Sequence, residues 1–223
     1  MFSEIKAIVR KDMLLDMRSK ENFISMLFFS LVILIIFNFA LGSDTKIVTT
    51  VAPGIFWVTF LLAGIIGLEK SFLVEKENGC IEFLLLNPVD KGNIFLGKMA
   101  GNIIFSLWVQ ACVIPLFILF FGYHFHSEFL VFVIVTLLTI LGFSALGTLL
   151  AGITTGLKFS GVILPLLLFP LLIPLLLASV KVTEGIFLQK SLEAYLDWLK
   201  LLLAFDLIFL VVSYLTFEFV MEH

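Results

Sequence analysis

Long apolar runs separated by short polar segments dominate this chain. One crossing of a bilayer takes about 17–25 mostly apolar residues in helical form. Six runs reach that length: Phe23–Leu41, Val51–Leu68, Met99–Phe121, Phe129–Ala151, Gly161–Ala178 and Lys200–Met221. Only helices or closed barrels satisfy their backbone polar groups inside lipid. The pattern therefore predicts an all-α integral membrane protein, with residues 23–221 forming one six-span domain.

Residues 1–22 follow a different rhythm. Phe2, Ile5, Val9 and Met13 recur at helical spacing, while Lys6, Arg10, Lys11 and Arg18 lie mostly on other faces. This predicts an amphipathic helix in the membrane interface. Asp12 and Asp16 interrupt its apolar stripe. The first apolar run follows a charged stretch and has no small-x-small site after it, so it reads as a retained span rather than a cleaved signal.

Composition agrees with a membrane setting. The 223 residues are 61% hydrophobic and 14% charged, whereas a soluble domain is about half apolar and about a quarter charged. A net charge of −3 without a basic run argues against a nucleic-acid partner. Cys80 and Cys112 form no CxxC or Cys/His cluster and read as packing residues. Lys6, Arg10, Lys11, Arg18, Lys20, Lys70, Lys76, Lys91, Lys98 and Lys158 fall on the side of the N-terminus, against Lys46, Lys181, Lys190 and Lys200 opposite. Basic residues favour the cytoplasmic side, which predicts that both termini are cytoplasmic.

Small residues at four-residue spacing let helix backbones approach in lipid. Gly97-x-x-x-Gly101, Gly147-x-x-x-Ala151 and Gly152-x-x-x-Gly156 are such candidates. Pro165, Pro170 and Pro174 all fall in the fifth span. Each removes a backbone donor, so this helix is either kinked and pathway-lining or a bent scaffold.

Few groups offer chemistry. Gly92 to Met99 approaches the phosphate-loop pattern, but Met99 replaces the hydroxyl that would hold Mg²⁺ and no strand precedes it. The chain is therefore not expected to hydrolyse ATP by itself. His124 and His126 lie in a short loop; a metal or haem ligand role is one reading, and two solvated loop histidines the simpler one. Asp206 is the one carboxylate well inside a span, a candidate proton relay or pathway residue unless water or Lys200 satisfies it near the outer end. Leu188, Leu192, Tyr195 and Leu199 share a face if Glu184–Leu199 is helical, predicting an interfacial or re-entrant helix. No nucleophile–base constellation can be assembled, which argues against an enzyme.

The densest polar segment lies between spans two and three. Residues 75–88 read EKENGCIEFLLLNP. Asn78-Gly79 marks a turn. Cys80–Leu86 resumes as a short helix, with Glu82 in its first turn favoured by the helix dipole. Leu84, Leu85 and Leu86 are too apolar to remain bare, and Asn87-Pro88 stops the helix. This predicts a short helix beside the membrane with an apolar docking surface; the alternative is a loop folded under the bundle.

The glutamates, Gly79, the leucines, Pro88 and Gly97-Lys98 resemble the ABC-2-type export permeases. In that class this region is the coupling helix that contacts the ATPase. The resemblance implies coupling roles for Glu75, Glu77, Gly79, Glu82, Leu84, Leu85 and Pro88. Val51-Ala-Pro53-Gly54-Ile-Phe-Trp57-Val, Gly67-Leu-Glu69-Lys and Gly156-Leu-Lys158-Phe-Ser-Gly161-Val-Ile-Leu-Pro165 follow in order, continuing to Pro170 and Pro174. Together they closely resemble the CcmB family, the B subunit of the cytochrome c maturation system. Cys80 replaces a usual Thr, and Phe159-Ser160 alters the usual turn before span five.

That resemblance implies a permease subunit of the bacterial inner membrane, paired as a homodimer. ATP would be bound by a separate ATP-binding subunit. Haem would be handled by haem-binding membrane partners and a periplasmic haem chaperone, with no cofactor bound by this chain. The work of ATP would serve haem delivery or release of the loaded chaperone. The competing expectations are a generic ABC-2 exporter of lipid, drug or polysaccharide, and an autonomous ion-coupled carrier using Asp206.

Overall fold

A computed structural model describes residues 2–42, 45–77, 90–122, 128–155, 157 and 159–220. Among these residues the chain is helical throughout: α1 (Phe2–Ser19), α2 (Glu21–Leu41), α3 (Thr45–Glu77), α4 (Lys91–Phe121), α5 (Phe129–Thr155), α6 (Ser160–Phe187) and α7 (Leu196–Val220). The turn Leu192–Ala194 is a 3₁₀ helix. The six helices α2 to α7 are each long and apolar enough to cross a membrane, matching the six runs in the sequence.

The helices differ from those runs mainly at their ends. α3 has 33 residues, about 50 Å at 1.5 Å per residue, against a hydrocarbon core about 30 Å thick. α6 continues to Phe187, past the expected end at Ala178. α7 begins at Leu196 and includes Asp197 in its first turn.

Burial ranks the helices. α3 and α5 form the centre of the bundle, whereas α2, α6 and α7 leave most of their surface bare. α5 packs chiefly on α6 and α7, α3 on α2 and α6, and α1 on α4. On α2 the buried positions are Asn22, Met26, Ser30 and Leu34, one per turn. The remaining faces show Ile24, Phe28, Ile36 and Phe39 to the surroundings. A soluble protein rarely exposes so much contiguous apolar surface, and lipid is its natural solvent.

An aromatic cluster fixes the middle of α3. Phe56 lies 5.0 Å from Trp57, 5.1 Å from Phe117 and 5.5 Å from Phe132, between ring centroids. These edge and tilted geometries are the favourable ones for aromatic pairs. Trp57 donates its indole N–H to Thr183 Oγ1 at 2.9 Å, tying α3 to α6. Gly64 makes room for the Phe143 ring, which lies 5.1 Å from Phe60; a Cβ there would come within 2.6 Å of it.

Contacts sort the bundle into two ends. The start of α1, the start of α4 and the last turns of α7 meet at what is here termed the terminal end. At the far end Asn38 donates to the Phe120 carbonyl, and the link from α6 to α7 returns Tyr195 against Gly185. The expected helix over Glu184–Leu199 is not formed. α6 stops at Phe187, Gln189 takes a left-handed φ of 50°, and Leu188 and Leu192 are exposed. Tyr195 alone of that set is buried, against Gly185.

Loss of water around Tyr195, and secondarily the Glu128 carboxylate, raise its phenol above the ordinary value of 10.0. Because the folded-state value is the higher one, the contribution to stability is complete below about pH 10 and is lost as pH rises through the folded-state value. Wild-type protein in detergent is therefore expected to lose melting temperature across that alkaline window. Tyr195→Phe should flatten the decline; an unchanged slope would contradict the assignment.

Candidate functional site

The site is the foot of the segment 78–89, which joins α3 to α4 at the terminal end. That segment lies outside the described residues, and with it Gly79, Cys80, Glu82, Leu84, Leu85 and Pro88. Glu75 and Glu77 belong to the last turn of α3, but their side chains also lie outside the described set. Its two roots are described.

The α4 root begins at Asp90, which caps the helix by accepting from the Gly92 N–H at 2.9 Å. This satisfies one of the orphan donors of the first turn. The next turns of α4 are wedged between α1 and α7. Gly92 faces the Tyr214 ring, and Phe95 lies 5.3 Å from Phe217 and 6.4 Å from Tyr214.

On the opposite side α1 lies along α4. Gly97 and Gly101 form the groove: a Cβ on Gly97 would come within 2.9 Å of Ile8, and one on Gly101 would meet Asp12 at 3.5 Å. The Gly-x-x-x-Gly spacing thus serves contact between α1 and a span. Asn93 donates to Glu4 at 2.8 Å. The Lys98 ammonium lies 3.3 Å from the Asp12 carboxylate and 5.1 Å from the Phe72 ring centroid of α3. Lys98 is 2% exposed and Asp12 8%. Lys11 also approaches Asp12 at 3.3 Å from the rim.

This corrects the expected face of α1. Ile5, Val9 and Met13 are only partly buried, while Ile8 and Asp12 occupy the centre of the contact. Asp12 breaks an apolar stripe only if the stripe faces lipid. Against Lys98 it is the polar centre of a helix–helix seam. A buried charge needs a partner of this kind.

At the α3 root the described side-chain contacts come from Glu69, Lys70 and Phe72. Lys70 donates to Ser25 Oγ of α2 at 3.1 Å. Glu69 faces Gly161 at the start of α6 and lines a cavity of about 10 Å³ with Phe72, Ala151, Thr154, Thr155, Ser160 and Leu164. Of the other small-residue candidates, Gly147 receives Leu68 of α3 and Gly152 receives Phe217 of α7; Gly156 lies outside the described residues.

The remaining candidates lie apart from this foot. α6 stays helical through Pro165, Pro170 and Pro174. Its buried stripe runs Leu164, Leu168, Leu172, Leu175, leaving Pro170 and Pro174 on the outward face and Pro165 half-buried. Asp206 is buried on α7, while Lys200 pairs instead with Asp197 at 2.8 Å. His124, His126 and Lys158 lie outside the described residues. Among the described residues no group of three or more His, Cys, Asp or Glu side chains is placed to hold a metal.

Known proteins share this plan. A family model described as CcmB protein matches residues 3–223. A protein named heme exporter protein B from Pseudomonas aeruginosa is 32% identical over 203 residues, covering 90% of this chain and 89% of its own. One of the same name from Haemophilus influenzae is 27% identical over 178 residues, covering 80% of each chain. Another from Rhodobacter capsulatus is 30% identical over 170 residues, covering 75% of this chain and 76% of its own. The match takes in α1, all six spans and the segment between α3 and α4, and the chain belongs to the CcmB family.

Proposed function

We propose that this chain is the membrane permease subunit of an ATP-coupled complex for cytochrome c maturation. It couples hydrolysis by a separate ATP-binding subunit to haem delivery or to release of a haem-loaded periplasmic chaperone. Family membership and the relatives named heme exporter protein B support this reading. The observation that carries the coupling role is the rigid seat of α4 at the foot of segment 78–89.

In this reading the terminal end faces the cytoplasm of a bacterial inner membrane, in keeping with its basic residues. Glu75, Glu77, Gly79, Glu82, Leu84, Leu85 and Pro88 dock on the ATP-binding subunit. Closure of that subunit displaces segment 78–89. α4 and α1 then move as one body, because the Asp12–Lys98 pair and the Ile8–Gly97 contact resist sliding between them. Haem is cargo of the complex, held by haem-handling membrane partners and the chaperone. The bare apolar surfaces of α2, α6 and α7 serve lipid and a second permease copy.

Deletion of the gene tests the proposal. Covalent haem in periplasmic c-type cytochromes is expected to fall to background while haem accumulates on the chaperone, and the wild-type gene should restore both. Normal cytochromes c after deletion would remove the maturation role and leave a generic ABC-2 exporter.

A further inference from the structure

We propose that Asp206 is a proton-binding site in the membrane interior, with a row of hydroxyls on α5 and α6 lying between it and the far end of the bundle. The site is distinct from the coupling foot and does not depend on an ATP-binding partner.

Asp206 is ten residues into α7, about 15 Å along its axis, and so close to the middle of a 25-residue helix. It is 3% exposed. Neither carboxyl oxygen has a hydrogen-bond partner among the described residues. Gly142 of α5 makes the space: a Cβ there would land on Oδ1, with Leu175 of α6 beside it. A carboxyl group thus sits between three helices, in a niche that exists because one of them carries no side chain at that point.

No cation on those helices compensates it. α5 carries no charged residue. On α6 the charged residues are Lys181 and Glu184, which pair with each other at 2.8 Å near the far end. On α7, Asp197 and Lys200 pair at 2.8 Å, and Glu218 lies three turns toward the terminal end. An isolated carboxylate in such surroundings would be an uncompensated buried charge. The species that fits is the neutral acid, a carboxylate that has taken one proton from water.

The polar groups around it are not scattered. One turn toward the far end, the hydroxyls of Thr139 of α5 and Ser179 of α6 lie 2.6 Å apart and share a hydrogen bond, and each is also 2.8 Å from a carbonyl of its own helix, Val135 and Leu175. One turn further, Thr183 donates to the Ser179 carbonyl at 2.8 Å and accepts from Trp57 at 2.9 Å. Toward the terminal end, two turns along the same face of α7, the buried Ser213 hydroxyl has no partner among the described residues. Thr139, Ser179 and Thr183 thus lie in order between the carboxyl and the far end, and a proton would pass along them to water as their bonds to backbone carbonyls open.

The test is infrared difference spectroscopy of the full chain in lipid nanodiscs on transfer from H₂O to D₂O. The expected result is a carboxylic-acid carbonyl band that is missing in Asp206→Asn and shifts on deuteration. Its exchange should be at least about tenfold slower in Thr139→Val/Ser179→Ala. If Asp206→Asn does not assemble, a carbodiimide adduct mapped to Asp206 in wild-type protein assigns the band. Absence of any acid band and adduct at Asp206 would overturn the site. Unchanged exchange in the double variant would overturn the route.

Discussion

Asp12→Asn is expected to be among the most damaging single substitutions outside segment 78–89. It removes the carboxylate 3.3 Å from Lys98 and leaves an ammonium that is 2% exposed without that counter-charge. Breaking one side of a buried pair costs about 3–5 kcal/mol, because the remaining charge cannot return to water. The Phe72 ring, in cation–π contact with the ammonium, offsets about 0.5–2 kcal/mol of this. Lys98→Met should cost less, since Lys11 still reaches Asp12 from the rim. The double change Asp12→Asn/Lys98→Met removes both charges and should recover at least half of the lost stability. Thermal melting of detergent-solubilised protein measures all three. Additive losses in the double variant would show that the two side chains do not act as a pair.

The second large effect is expected in segment 78–89. Glu82→Lys or Leu85→Asp should abolish recruitment of the ATP-binding subunit, and with it cytochrome c maturation, while leaving insertion and melting temperature intact. The reason lies in composition: Glu82 followed by Leu84, Leu85 and Leu86, in the segment between two spans, predicts a small apolar contact with a charged edge. Placing a carboxylate in that contact desolvates a charge without a partner. Co-purification of the two subunits is the direct measurement, and undiminished recovery of the partner with both variants would sink the coupling role. Comparison with Asp12→Asn separates the two layers: that variant should lose stability, whereas the segment variants should lose only the partner.

What the sequence discloses here follows from the range of each interaction. The six spans are legible because bilayer thickness dictates length, and a run of apolar residues is a local property. The face of α1 is not, because Asp12 acquires its meaning from Lys98, in a different helix far along the chain. Seen alone, Asp12 spoils a stripe; seen against Lys98 it centres one. The same holds for Trp57, whose indole finds Thr183 only once α3 and α6 are side by side. The helix expected over Glu184–Leu199 failed for another reason. Its periodicity was sound, but Gln189 takes a left-handed backbone conformation and Gly185 offers Tyr195 a place against α6. Asp206 was visible as an anomaly, while the niche that receives it depends on the absence of a side chain at Gly142.

The length of α3 has a mechanical consequence. The helix is pinned near Trp57 by the indole bond to Thr183 and by the rings of Phe56, Phe117 and Phe132. From that pin it extends about 30 Å to Glu77 and about 18 Å to Thr45. In the proposed coupling it would act as a lever with an off-centre fulcrum, its long arm ending where segment 78–89 begins and shifting together with the α5 and α6 surfaces packed against it. A swing of the long arm by about one helical pitch, roughly 5 Å, reaches the short arm as roughly 3 Å in the opposite direction. In the proposed coupling a push at this foot would thus arrive at the far end reduced in travel and increased in force.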